Sequence, residues 1–293
     1  MDKILVFGHQ NPDTDSICSA LVKVILDKKK NGVEHIAARL GNINKETQYV
    51  LDYLNIEPPM LIQEIQEGQK VILVDHNEFN QSVTGIQKAK IIGVIDHHRI
   101  SNFETSEPLY YTARPYGCTC TILYNMFKDS NIEIEKTEAI LMASAIISDT
   151  LLLKSPTTTK KDENALEELS KIANIDINTY GLEMLKAGTD LSDYSAEQLI
   201  TLDAKSVDMN GNSVMVAQVN TVSIEDVLKN KEDLENAINK KIEENNLDLF
   251  MLAITDILNS NSQAIALGRR TDMVEKAYNV KLKDNTAFLP GVV

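Results

Sequence analysis

Three short apolar runs, Ile4-Leu5-Val6-Phe7, Val71-Ile72-Leu73-Val74 and Ile91-Ile92-Gly93-Val94-Ile95, each lead straight into a cluster of Asp and His. Apolar runs this short, with no polar alternation, are the pattern of strands buried on both faces of a parallel sheet. After the first run, Ile17, Leu21, Val24 and Ile25 recur at helical spacing, with an N-cap offered by Asp15-Ser16. Helical patterns also cover 45–54, 117–129, 136–148 and 160–173. Strands alternating with helices predict an α/β fold built on a doubly wound parallel sheet.

The pattern changes after Leu185-Lys186-Ala187-Gly188. A chain of 293 residues is long for one domain, and a division into 1–188, a polar linker at 189–194 and a smaller α/β domain at 195–293 accounts for it. The second domain is expected to hold a helix at 195–200, strands near 213–219 and 248–255, and one long helix over 223–246. In that helix Val227, Leu234, Ile238 and Ile242 share a face.

In open parallel sheets the carboxyl ends of the strands open onto one crevice, where ligands bind. The three clusters therefore converge: Gly8-His9-Gln10-Asn11-Pro12-Asp13-Thr14-Asp15, Asp75-His76-Asn77-Glu78 and Asp96-His97-His98-Arg99. Imidazoles with several carboxylates suit octahedral Mn²⁺, Co²⁺ or Mg²⁺ better than a thiolate set would. On a loop, Asp13 and Asp15 point toward different ions, while Asp75 or Asp96 is placed to orient a ligating imidazole. Of the five histidines, His9, His76, His97 and His98 lie in these clusters, and His35 reads as a satisfied structural residue. Asp149 follows an apolar helical stretch and could simply terminate it; spacing alone does not choose it over other acids.

Composition excludes some partners. Lys plus Arg is 29 against 43 Asp plus Glu, a net charge of −14 that repels a polyanion. With no Trp and 5% aromatics, a stacking platform for nucleic acid is not expected either. A small anionic substrate would need local positive charge. The three cysteines, Cys18, Cys118 and Cys120, form no disulfide framework, which fits a reducing cytoplasm. Cys118 and Cys120 read as buried small residues, since no second Cys pair completes a zinc site. Neither a secretory leader nor a membrane-spanning stretch is apparent, so no membrane association is expected.

The Asp96-His97-His98 triplet resembles the signature of the DHH phosphoesterase superfamily. Together with His9-x-x-x-Asp13-x-Asp15, Val74-Asp75-His76-Asn77-Glu78 and Ser148-Asp149, it resembles the family II, manganese-dependent, inorganic pyrophosphatases. Further landmarks run to the end of the chain: Asn102-Phe103-Glu104-Thr105, Lys154-Ser155-Pro156-Thr157, Leu202-Asp203-Ala204-Lys205 and Gln218-Val219-Asn220-Thr221 among them.

The resemblance implies an N-terminal DHH domain, a C-terminal DHHA2 domain and pyrophosphate hydrolysis between them by a hydroxide bridging two metals. It implies two Mn²⁺ or Co²⁺ per subunit, with Mg²⁺ arriving with the substrate. One metal would be held by His9, Asp13 and Asp75, the other by Asp15, Asp75, His97 and Asp149. His98 and Lys205 would contact the substrate phosphates. The resemblance also implies a homodimer through the first domain. No nucleotide-binding CBS insert is expected, because residues 61–70 lead directly into Val71. The family continues past Gly291-Val292-Val293 into a basic Ser-Arg-Lys-Lys segment, whereas this chain stops at Val293, so a shortened sequence or weak pyrophosphate binding is expected. Arg269-Arg270 lies elsewhere and is not taken as a substitute. Two alternatives are a DHH phosphodiesterase acting on short oligonucleotides or cyclic dinucleotides, and a metal-binding protein without turnover. The phosphodiesterases carry a Gly-Gly motif and a histidine in the second domain, and this chain has no Gly-Gly pair and no histidine after His98.

Overall fold

The computed structural model describes residues 4–292; Met1-Asp2-Lys3 and Val293, with the reading of Val293 as an end, lie outside the described residues. The chain forms two compact units, Met1–Gly188 and Thr189–Val293.

The first unit runs β1 (Leu5–Phe7), α1 (Thr14–Asn31), β2 (Ile36–Arg39), α2 (Lys45–Leu54), β3 (Met60–Leu61), β4 (Lys70–Val74), β5 (Lys90–Asp96), β6 (Tyr110–Ala113), α3 (Thr119–Asp129), α4 (Lys136–Thr150), α5 (Lys160–Ala173) and α6 (Ile177–Gly188). Its six strands are all parallel in the order β3-β2-β1-β4-β5-β6. The three apolar runs are β1, β4 and β5, adjacent at the centre, where burial on both faces demands unbroken apolar sequence. The strand order reverses between β1 and β4, which makes their carboxyl ends the switch point of the sheet. α1 packs on β1, β2 and β4 and is backed by α4, whose Ala139 through Ile147 are buried. That burial on all sides explains why α4 reads as almost continuously apolar.

The β2, β3 and β6 strands and the α6 helix carry no such apolar run and were not legible in the sequence. α1 also starts two residues earlier than expected. Its N-cap is Asp13, whose Oδ1 accepts the Ser16 N–H at 2.9 Å, and not Asp15-Ser16. Asp15 instead lies inside the first helical turn. β3 and β4 are joined by residues 62–69, which leaves no room for an inserted domain.

The second unit runs α7 (Ala196–Leu199), β7 (Ala204–Met209), β8 (Asn212–Thr221), α8 (Ile224–Leu228), α9 (Lys231–Asn245), β9 (Leu249–Asp256), β10 (Asn261–Leu267), α10 (Asp272–Tyr278) and β11 (Thr286–Pro290). Its sheet has the order β11-β10-β9-β8-β7, with β8 and β9 parallel and the other pairs antiparallel. Phe250, Leu252 and Ile254 of β9 face Leu234 and Ile238 of α9, while Leu249 and Met251 on the opposite face pack with Val274 of α10. The single helix expected over 223–246 is two helices. Asn230 leaves helical geometry at ψ 21° and starts α9, so the apolar stripe is carried across a break. The sequence pattern does not announce β7, β10, β11 or α10; for β7 and β11 the reason is that they are edge strands with exposed faces.

Candidate metal centre

His9 lies just beyond β1, Asp75 just beyond β4 and His97 just beyond β5, three neighbouring strand ends. Gly8 permits the approach of β1 to α1: a Cβ there would sit 1.7 Å from Ser16 Oγ, which itself accepts the His9 backbone N–H at 3.0 Å. Asp75 takes a left-handed backbone (φ 59°), uncommon for a residue with a side chain. Its carboxylate is thereby set between the two histidines. Oδ2 lies 3.3 Å from His9 Nε2, and Oδ1 lies 3.4 Å from His97 Nε2. His9 Nε2 is also 3.3 Å from Asp13 Oδ2, and His97 Nε2 is 3.8 Å from Asp149 Oδ2.

These side chains fall into groups compact enough to hold a cation: His9, Asp13 and Asp75; Asp15, His97 and Asp149; and Asp75, His97 and His98. The first two groups match the two ligand sets implied by the resemblance, apart from Asp75 in the second, which is close to His97. Membership of His98 in the third was not expected. Its Nδ1 is 2.9 Å from Asp96 Oδ1, and half of its side chain is exposed, so this ring is oriented by Asp96 toward solvent.

His76, grouped with the candidate ligands by its position, is not available as one. Its Nδ1 is 2.9 Å from Val74 O and its Nε2 is 3.1 Å from Ser82 Oγ. Both ring nitrogens are therefore spent on structure. Of the two aspartates expected to orient imidazoles, Asp96 does so for His98, while His97 Nδ1 is held by the carbonyl of Tyr116 at 3.0 Å. That fixes the His97 tautomer and leaves Nε2 facing the carboxylates. Asp15 is fully buried and accepts the backbone N–H groups of Thr119 (2.6 Å) and Cys120 (3.0 Å) together with Ser19 Oγ–H (2.8 Å). The carboxylate caps α3 with its own helix dipole favouring the charge. Asp149 ends α4 in a turn that continues through three left-handed leucines, Leu151, Leu152 and Leu153 (φ 48°, 55° and 64°), a run that L-residues with side chains avoid. Spacing could not select Asp149, because the packing of α4 against α1 is what brings it beside Asp15 and His97. Lys205 is on β7 of the second unit and Cys118 and Cys120 are free and buried at the start of α3; His35 Nε2 is 3.0 Å from Asp27 Oδ2, but its Nδ1 is buried without a hydrogen-bond partner, so the ring is only half satisfied.

The electrostatics test whether cations fit. Burial, then the charges of Asp15 and Asp13, raise Asp75 to about 6 against the opposing pull of the His9 and His97 rings. Burial and the charges of Asp15, Asp75 and Asp13 drive Asp149 well above the usual carboxylate range. Burial alone would lower His9 and His97, but Asp13 and Asp75 lift His9 to about 10, and Asp75 and Asp15 lift His97 to about 9. Burial pushes Asp15 up, yet the charge of His97 and hydrogen bonds from Cys118, Thr119 and Ser19 hold it below the usual range. Carboxylates packed this closely demand positive charge. Asp75 Oδ2 and Asp149 Oδ2 are buried without a hydrogen-bond partner, the state of a donor atom kept for a cation. Imidazole nitrogens and carboxylate oxygens fit Mn²⁺ well.

The DHH family N-terminal domain matches residues 3–146, and the DHHA2 domain matches residues 182–293. The manganese-dependent inorganic pyrophosphatase of Bacillus subtilis is 56% identical over all of this chain and 95% of its own length. The chain belongs to this family. A probable manganese-dependent inorganic pyrophosphatase of Enterococcus faecalis is 54% identical over the same shares. The crystal structure of a putative family II inorganic pyrophosphatase of Methanococcus jannaschii superposes with a TM-score of 0.64 at 39% identity, covering 99% of this chain and 94% of the other. An exopolyphosphatase-related protein of Bacteroides fragilis, at 14% identity and a TM-score of 0.52, shares the fold. Among the described residues no helix is long and apolar enough to cross a membrane.

Proposed function

We propose that this chain is a manganese-dependent enzyme that hydrolyses inorganic pyrophosphate to two phosphates. The observation that carries the reading is Asp75, whose two carboxylate oxygens face His9 and His97 separately, so that one side chain serves two neighbouring cation sites. His9, Asp13 and Asp75 would hold one Mn²⁺, and Asp15, Asp75, His97 and Asp149 the other. When bound, such a pair supplies Lewis acidity and lowers the pKa of a coordinated water. Co²⁺ can take the same donors, and Mg²⁺ would accompany the substrate as charge neutraliser.

The protein's own part is to fix that pair and orient the substrate. His98 is half exposed beside the ligands, and its link to Asp96 raises its pKa, which favours the charged ring that an incoming phosphate would meet. Lys205 is assigned to the substrate on the family resemblance, as a point charge contributed by the second domain. The domain limits proposed are 1–188 and 195–293, joined by 189–194. The enzyme is proposed to act in the cytoplasm as a homodimer, without nucleic acid, and light scattering should give twice the 32.7 kDa of one chain.

Purified protein given Mn²⁺ and pyrophosphate should release two phosphates per substrate, and a cyclic or linear dinucleotide should be spared. Faster cleavage of the dinucleotide would replace this reading with the phosphodiesterase one. Paired Mn²⁺ binding without phosphate release would point to a protein that binds metal and does not turn over.

A further inference from the structure

Glu46, in the first turn of α2, belongs to none of the cation-holding groups, yet it touches the chain beside two of them. Its Oε1 accepts the Thr14 hydroxyl at 2.7 Å and also the Ser148 hydroxyl. Thr14 lies between Asp13 and Asp15, and Ser148 immediately precedes Asp149. One oxygen atom thus joins the start of α1 to the end of α4 beside their ligands, from a third helix. The Thr14 hydroxyl is further tied to Thr47 Oγ1 at 3.2 Å, and Thr47 N–H is held by Asn44 Oδ1 at 2.7 Å.

The acid is kept here against opposition, first from its burial and then from the negative charge of Asp13. What the position requires is an acceptor able to take two hydroxyls at once, since both of its partners donate. It is also wedged from behind. A Cβ on Gly188, in the last turn of α6, would lie 2.9 Å from Glu46 Cβ and 3.1 Å from Oε2. The α6 backbone therefore passes close to the Glu46 side chain and leaves no room there for a Cβ at position 188.

We infer that Glu46 is a positioning residue, a clamp that sets the spacing between the Asp13-Thr14-Asp15 and Ser148-Asp149 segments and so the geometry of the cation site formed by Asp15, His97 and Asp149. This rests on the two-cation reading above. Because the clamp works by geometry and not by charge, Glu46→Gln keeps the double acceptor and retains function, whereas Glu46→Leu releases both segments.

The test is Mn²⁺ titration of the full chain, read by electron paramagnetic resonance for free Mn²⁺ and for the exchange-coupled pair. Glu46→Leu should weaken the second Mn²⁺ by about 10- to 100-fold and diminish the coupled signal at equal loading. Glu46→Gln should restore both toward wild type. Gly188→Ala, which crowds the clamp while leaving Glu46 in the sequence, should shift the second site in the same direction by a smaller factor. Should Glu46→Leu not fold, Ser148→Ala removes one arm alone and carries the same expectation. Unchanged affinity and coupling in Glu46→Leu, or a Glu46→Gln variant as impaired as Glu46→Leu, would overturn the clamp while leaving the metal centre standing. A wild-type chain that binds no paired Mn²⁺ would overturn the centre itself and the clamp with it.

Discussion

Asp15 accepts the backbone N–H of Thr119 at 2.6 Å across 104 residues of chain. The same carboxylate is thus a candidate cation ligand and the cap of α3, so site and fold cannot be separated there. Asp15→Ala removes three hydrogen bonds to a buried acceptor and leaves two helix N–H groups unpaired, a loss of about 1–3 kcal/mol partly offset by relief of repulsion in the cluster. Denaturant unfolding should show that loss in stripped protein, and Mn²⁺ titration should show a loss of paired binding in addition.

Removing the metal should destabilise the first unit. Crowded carboxylates repel one another, and a cation that binds only the folded state stabilises it by about 2.7 kcal/mol at a hundredfold excess over its Kd. Unfolding temperatures measured with a chelator and with Mn²⁺ should differ by several degrees, with Ca²⁺ giving less than Mn²⁺ because imidazole is a poor ligand for it. An identical unfolding temperature in both would show that the carboxylates hold nothing.

Metal-free protein should lose stability in alkali. His9 and His97 are raised to about 10 and about 9 from an ordinary 6.5. A histidine raised by folding contributes stability that is complete below its unfolded pKa and disappears as pH climbs through the folded value. Chelator-treated protein should therefore weaken between about pH 7 and 10. The Mn²⁺-loaded protein should not, because the metal takes the place of those protons, and its apparent affinity should rise over the same interval. Thermal unfolding and Mn²⁺ titrations across that interval check both limbs.

His76 should prove structural. Replacing it by Ala empties a buried site and strands Ser82 Oγ, for a loss of about 2–4 kcal/mol. The number of Mn²⁺ bound at saturation, counted in the cold where the variant stays folded, should remain that of wild type. Loss of one Mn²⁺ would return His76 to the ligand list.

Gly8→Ala should fold poorly or shift the start of α1. The added Cβ falls on Ser16 Oγ at 1.7 Å, with Ser16 Cβ at 2.7 Å, so the helix itself must give way. An overpacking loss of about 1–3 kcal/mol and weaker Mn²⁺ binding through His9 are expected. Calorimetry beside metal titration would register both.

The apolar runs ending in Asp and His determined much of this molecule. They named the parallel sheet, its three central strands and the residues at their ends, since a strand buried on both faces can be written only in apolar residues and must surrender its polar chemistry to its last position. Edge strands such as β3, β6 and β7 escaped that logic because solvent lets their sequence vary. The break at Asn230 escaped it because an apolar stripe continues on both sides. Only tertiary structure decided the rest: that His76 spends both nitrogens on its own loop, that Tyr116 aims His97, and that α4 packs on α1 so as to deliver Asp149. Those outcomes depend on contacts between residues tens of positions apart, and no local periodicity encodes which distant atoms will meet.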